Sequence, residues 1–236
     1  MADLFHSIST LHDLESFHFP RSSSNDHRTT ALFNSWPPKL RKLQIAGGIR
    51  DESILYFSTI PYTLTHLVIG DCPNLSWAFV NPLLTALGPH LQYLRIDPNL
   101  PKLSWLSLNG IIEALPVLRH LNIAIGYIYE VFFREGRIFK LDNYHCLEFL
   151  QLSCHHSTTS QDSQEITSDD IWSAVVDGPL KNLRRIRVSR RLGWTQDEEG
   201  RRAVKELSAL LEALAREDRG ESSSDEDVDA GVWVLD

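Results

Sequence analysis

One hydrophobic phrase, Leu-x-x-Leu-x-Ile/Leu with conservative swaps, recurs seven times along this chain. The copies are Leu14–Phe17–Phe19, Leu40–Leu43–Ile45, Leu64–Leu67–Ile69, Leu91–Leu94–Ile96, Leu118–Leu121–Ile123, Leu147–Leu150–Leu152 and Leu183–Ile186–Val188. Their first positions lie 26, 24, 27, 27, 29 and 36 residues apart. Side chains alternate across an extended strand, so the fourth and sixth positions point to one side and the third and fifth to the other. A unit of this size cannot bury its apolar side alone. Stacking neighbours does so, and self-similarity at this period implies a solenoid of leucine-rich repeats.

The stretches between phrases must return the chain to the next strand, and they read as helices. Asp51-Glu52-Ser53-Ile54-Leu55 opens with acids, as a helix start prefers. Leu83, Leu84 and Leu87 recur at helical spacing, with Pro82 suited to a first turn. Leu106, Ile111, Ile112 and Leu115 make another stripe, and Ser168-Asp169-Asp170 leads into Ile171, Trp172, Val175 and Val176. Proline precedes several strands, at Pro38, Pro61, Pro89, Pro116 and Pro179, where it ends the helix. The polar stretch 157–168 reads as an exposed loop. The segment 125–140, with Tyr127, Tyr129, Phe132 and Phe133, reads equally as a helix face or as irregular aromatic packing.

The chain therefore divides into a solenoid over 1–194 of about seven repeats, a helical cap over 195–217, and a tail over 218–236. Thr195-x-x-Glu198 suggests a capping box for the cap helix, and Ala203, Val204, Leu207, Leu210, Leu211 and Leu214 form its apolar stripe. Seven acids and one arginine fall between Glu217 and Asp229, a composition expected to be disordered. The final apolar string, Val232-Trp233-Val234-Leu235, reads either as a strand docked back on the body or as a free peptide motif.

Net charge is −8, which disfavours generic nucleic-acid binding. Three cysteines match no secreted disulfide framework, and neither a signal peptide nor a membrane-spanning run is visible. These features point to an intracellular protein, cytoplasmic or nuclear, that does not engage membranes.

The open face of the predicted sheet is the candidate site. Its third-position lane is Ser16, Lys42, His66, Tyr93, His120, Phe149 and Arg185. Its fifth-position lane is His18, Gln44, Val68, Arg95, Asn122, Gln151 and Arg187. These positions hold four Lys or Arg, three His, two aromatics and no acid, in a chain that is acidic overall. Arginine and aromatic residues favour interface hot spots, so the face is expected to bind an acidic or phosphorylated protein segment. The bland alternative is a solvated face. The acidic tail could itself fold over this face, and Ser222, Ser223 and Ser224, each with an acid three residues on, are candidate phosphorylation sites.

The units Leu64-Thr-His-Leu-Val-Ile-Gly-Asp-Cys-Pro and Leu91-Gln-Tyr-Leu-Arg-Ile-Asp resemble repeats of fungal F-box/leucine-rich-repeat proteins, with Asp71-Cys72-Pro73 similar to the cysteine-containing repeat subtype. The resemblance covers about residues 4–190. It implies a substrate-binding region of a ubiquitin-ligase receptor, whose F-box would bind the cullin-ligase adaptor. No F-box is visible in this chain, so the adaptor is a partner only if one lies upstream. The competing reading is a free-standing scaffold or regulator unrelated to ubiquitin.

An enzyme is a distant third reading. No nucleophile elbow, phosphate-binding glycine loop or His-Glu-x-x-His motif occurs, and neither cofactor nor catalytic residue is expected. Cys146, Cys154, His155 and His156 lack paired zinc-ligand spacing, so no metal site is expected.

Overall fold

The architecture was described from a computed structural model, which defines residues 7–19, 36–57, 59–103, 108, 110–128, 131–134, 145–154, 166–220 and 229–235. Eight strands form one parallel sheet: β1 (Ser16–His18), β2 (Lys42–Ile45), β3 (His66–Ile69), β4 (Tyr93–Ile96), β5 (His120–Ala124), β6 (Phe149–Ser153), β7 (Arg185–Ser189) and β8 (Gly231–Leu235). Their order in space is their order in sequence. That arrangement is an open α/β sheet compatible with a solenoid.

Pairing is in register with the repeated phrase. Leu43, Leu67, Leu94, Leu121, Leu150 and Ile186 are partners on successive strands. They and the sixth-position residues Ile45, Ile69, Ile96, Ile123, Leu152 and Val188 are at most 1% exposed. Leu40 through Leu183, the first-position residues from the second unit on, are equally buried. Three apolar rows thus run the length of one core. Near its first strands the core is aromatic: Phe19, Trp36, Phe57 and Phe79 pack ring on ring, with centroids 5.2–6.4 Å apart.

The returns include α1 (Ile54–Phe57), α2 (Trp77–Leu87), α3 (Ile111–Ala114), α4 (Val131–Arg134), α5 (Ser168–Val176) and α6 (Glu198–Arg219). Helix α2 starts earlier than its leucines suggested. Ser76 caps it by accepting from the Ala78 amide, and the Asp51 carboxylate accepts from both the Ser76 amide and its hydroxyl at 2.7 and 2.6 Å. Pro82 is therefore inside the helix rather than in its first turn, leaving the Ala78 carbonyl without its usual donor. Leu106 lies outside the described residues, and only Ile111–Ala114 of that stripe is helical.

Helix α6 is capped by Asp197, whose carboxylate accepts from the Gly200 amide at 2.7 Å, and not by Thr195. Aspartate is as good a cap as threonine, and it starts the helix two residues later. A capping box does occur, at α5, where Thr167 and Asp170 exchange hydrogen bonds. This narrows the expected loop at 157–168. Its end is structured, because Ile166 is buried and its carbonyl accepts from the Trp194 indole at 2.8 Å. In the 125–140 segment Tyr127 ends a short 3-10 turn, Ile125–Tyr127, and its buried hydroxyl accepts from the Leu100 amide and donates to the Pro98 carbonyl. Phe132 and Phe133 are buried in α4, while Tyr129 lies outside the described residues.

The last apolar string is a strand. β8 continues the sheet beside β7, so α6 is the crossover between two strands. The acidic run accordingly begins inside the last turn of α6, with Glu217 and Asp218, and ends at Asp229 before β8; residues 221–228, including Ser222, Ser223 and Ser224, lie outside the described residues. No described helix is long and apolar enough to cross a membrane.

One buried polar group makes stability depend on pH. His145 is 3% exposed, its Nδ1 accepts from the Leu147 amide at 3.1 Å, and its Nε2 faces the Leu115 carbonyl at 2.9 Å. The ring is held as the Nε2–H tautomer. Burial pushes its pKa below the ordinary 6.5, against the pull of the carbonyls. The unfolded chain therefore takes up the proton first as pH falls. This contribution is complete above about pH 6.5 and declines as pH drops through that value towards the folded pKa. Urea midpoints measured from pH 7.5 to 5 should fall less steeply for His145→Gln than for the parent, because glutamine keeps a donor for Leu115 but does not titrate. An unchanged slope would assign the effect to other groups.

Candidate functional site

The face of the sheet opposite the core is built by the same register that builds the core. Ser16, Lys42, His66, Tyr93, His120, Phe149 and Arg185 are successive partners, as are His18, Gln44, Val68, Arg95, Asn122, Gln151 and Arg187. β8 extends the lanes by Gly231 and Trp233. Both lanes read from sequence are thus contiguous rows of neighbours. Cross-strand neighbours of this kind are the interacting unit of a sheet face.

The middle of the third-position lane is a ladder of rings. His66 and Tyr93 stack with centroids 5.4 Å apart and planes 18° from parallel. Tyr93 and His120 follow at 6.1 Å, and His120 and Phe149 at 5.6 Å and 28°. The Arg187 guanidinium lies 5.4 Å from the Phe149 centroid, a cation–π contact that closes the row. The His66 Nδ1 shares a hydrogen bond with the Thr65 hydroxyl at 2.8 Å.

Partial burial lowers the pKa of both ladder histidines. Lys42 and His120 add to the effect at His66, and Arg185 at His120, where Glu148 opposes it. Both imidazoles are neutral near pH 7, so the face carries fewer charges than its composition suggests.

Two of its four cations are also neutralised. Arg95 Nε donates to Asp97 at 2.7 Å, and Arg185 donates to Asp229 at 2.7 Å. Asp97 stands two residues beyond Arg95 on the same face, at a position the two-lane reading did not include. Gly70, one strand away, gives it room: a Cβ there would lie 2.1 Å from the Asp97 carboxylate. Asp229 occupies the first position of the eighth unit, where the other units carry leucine. Lys42 and Arg187, at opposite ends of the ladder, have no carboxylate partner among the described residues.

Below this face, at the rim where β5–β7 begin, a cleft of about 430 Å³ gathers Arg119, Arg184 and Arg185. Each has its own acid, in Glu148, Asp218 and Asp229 at 2.5, 2.8 and 2.7 Å. The rim therefore holds three closed ion pairs, beside a fourth lining arginine, Arg219.

Cys72, in the Asp-Cys-Pro sequence, is fully buried. Its thiol donates to the Gly70 carbonyl, and burial pushes its pKa to about 12, so it packs as a small apolar group. Among the described residues no cluster of His, Cys, Asp or Glu could hold a metal ion; His155 and His156 lie outside them.

No family model matches the chain. It is similar to F-box protein YDR306C of Saccharomyces cerevisiae, 28% identical over 219 residues, which is 92% of this chain and 44% of that protein. It is also similar to Protein pof5 of Schizosaccharomyces pombe, 30% identical over 177 residues, 75% of this chain and 48% of that protein. The chain spans less than half the length of these curated relatives.

Proposed function

We propose that this chain is a leucine-rich-repeat recognition module that holds a protein partner on the open face of its sheet, as the substrate-binding region of an F-box-type ubiquitin-ligase receptor. The observation that carries the reading is the ring ladder His66–Tyr93–His120–Phe149 with Arg187 on its end. An ordinary solvated face has no reason to gather aromatic and guanidinium groups in one row, whereas interfaces are enriched in both. Similarity over most of the chain to a yeast protein named for its F-box supports the ligase part.

The test is quantitative co-purification from cells with the full-length protein, comparing the parent, Tyr93→Ala with Arg187→Glu on the open face, and Glu206→Lys on the exposed side of α6. A partner set lost only from the open-face variant is the expected result. A set indifferent to that variant overturns the reading. Recovery of a cullin-ligase adaptor with all three proteins supports the receptor role. Its absence from all three leaves a free-standing scaffold, held in the same way to its partner.

A further inference from the structure

The rings of the ladder turn their faces to one another, so they turn their edges to solvent. Ring edges carry the positive end of the aromatic quadrupole. The C–H edges of Tyr93 and Phe149 and the C–H and N–H edges of the two imidazoles thus make the strip from His66 to Phe149 weakly electropositive without formal charge, save at the one lone-pair nitrogen that each neutral imidazole keeps in its plane. The two cations of the face without carboxylate partners among the described residues bracket it, Lys42 on β2 and Arg187 on β7, while Arg95 and Arg185 are already paired to Asp97 and Asp229. A complementary ligand therefore has an electron-rich centre and two negative ends. An aromatic ring laid face-down on the edges of Tyr93 and His120 supplies the first, in the edge-to-face geometry that aromatic pairs prefer. Carboxylates supply the second.

The spacing follows from the sheet. Five interstrand steps of about 4.8 Å separate β2 from β7, roughly 24 Å, which an extended chain at about 3.3 Å per residue covers in about seven residues. We propose that the open face takes an extended acidic segment of another protein, running across the strands with an aromatic residue over Tyr93 and His120 and acidic side chains near Lys42 and Arg187. This rests on the open face being the binding surface and adds the chemistry and span of what binds there. The competing occupant is the chain's own acidic connection between α6 and β8, whose acids include Glu221, Asp225, Glu226 and Asp227.

The experiment is fluorescence anisotropy with the full chain and labelled synthetic peptides. Each peptide has a central phenylalanine in a Ser/Gly background, flanked by glutamates separated by three, seven or eleven residues. The seven-residue spacing should bind tightest. Lys42→Glu and Arg187→Glu should each weaken it about fivefold, the scale of one exposed ion pair. Both side chains carry exposed charges, so circular dichroism should be unchanged. Equal affinity at all three spacings, with sensitivity to these variants retained, overturns the proposed span and leaves the open face as the binding surface. Binding insensitive to both variants and to Tyr93→Ala overturns the face itself. If binding appears only after Glu221, Asp225, Glu226 and Asp227 are changed to Gln or Asn, the internal segment is the occupant and the external one is rejected. No binding of any peptide to either form rejects the proposal.

Discussion

Leu121→Ala should lower stability by about 2–5 kcal/mol, the range for emptying a buried leucine site. Leu121 is fully buried on β5, at the fourth position of the repeated phrase, between Leu94 and Leu150. It sits mid-sheet, so neighbours on both sides lose packing, and no mobile terminus is available to collapse into the hole. In a stacked architecture the damage falls on two interfaces at once. Urea denaturation should show a lower midpoint, and a separation into two transitions if the halves uncouple. His120→Ala, one residue away on the opposite face, should cost far less. Comparable losses for the two would mean that the faces of β5 are misassigned.

Gly231→Val should release β8 from the sheet. Gly231 has φ +126°, a conformation that a β-branched residue resists, and its Cβ would lie 2.6 Å from the Ser208 hydroxyl of α6. Backbone strain of that kind costs about 1–3 kcal/mol before any clash is counted. β8 is an edge strand, held chiefly by its pairing with β7, its packing on α6 and the Val232 amide on Ser208, with the Arg185–Asp229 ion pair nearby. Hydrogen exchange should accelerate sharply at Val232–Leu235 while the amides of β3–β5 keep their protection. Gly110→Ala is the control, because nothing lies within 4 Å of the Cβ it would add. If the whole sheet loses protection together in Gly231→Val, β8 belongs to the central cooperative unit instead.

The lanes of the site were legible because one period fixes both faces. Once Leu43, Leu67 and Leu94 are assigned inward, Lys42, His66 and Tyr93 can only be outward and adjacent. Three features were harder to read. Aspartate at position 229 breaks the phrase at its first leucine, so the eighth unit shows only Val232-x-Val234. Helix starts were misplaced where a better cap lay nearby, at Ser76 and Asp197. The pairing of Arg95 with Asp97 depends on a position just beyond the strand and on the gap left by Gly70. The stacking of the rings depends on rotamers that neighbours select together, and no single segment encodes it.

Each strand lies beside the one that precedes it in the chain. Every pairing in the sheet therefore joins segments close in sequence relative to the full length, from Ser16 with Lys42 to Arg185 with Gly231. Loop closure costs little at such separations, and topologies of low contact order fold quickly. During synthesis, β2 can pair with β1 as soon as it clears the ribosome, and each later strand finds its template already assembled. The molecule is suited to being built one rung at a time, in the direction of translation, without waiting for its C-terminal half.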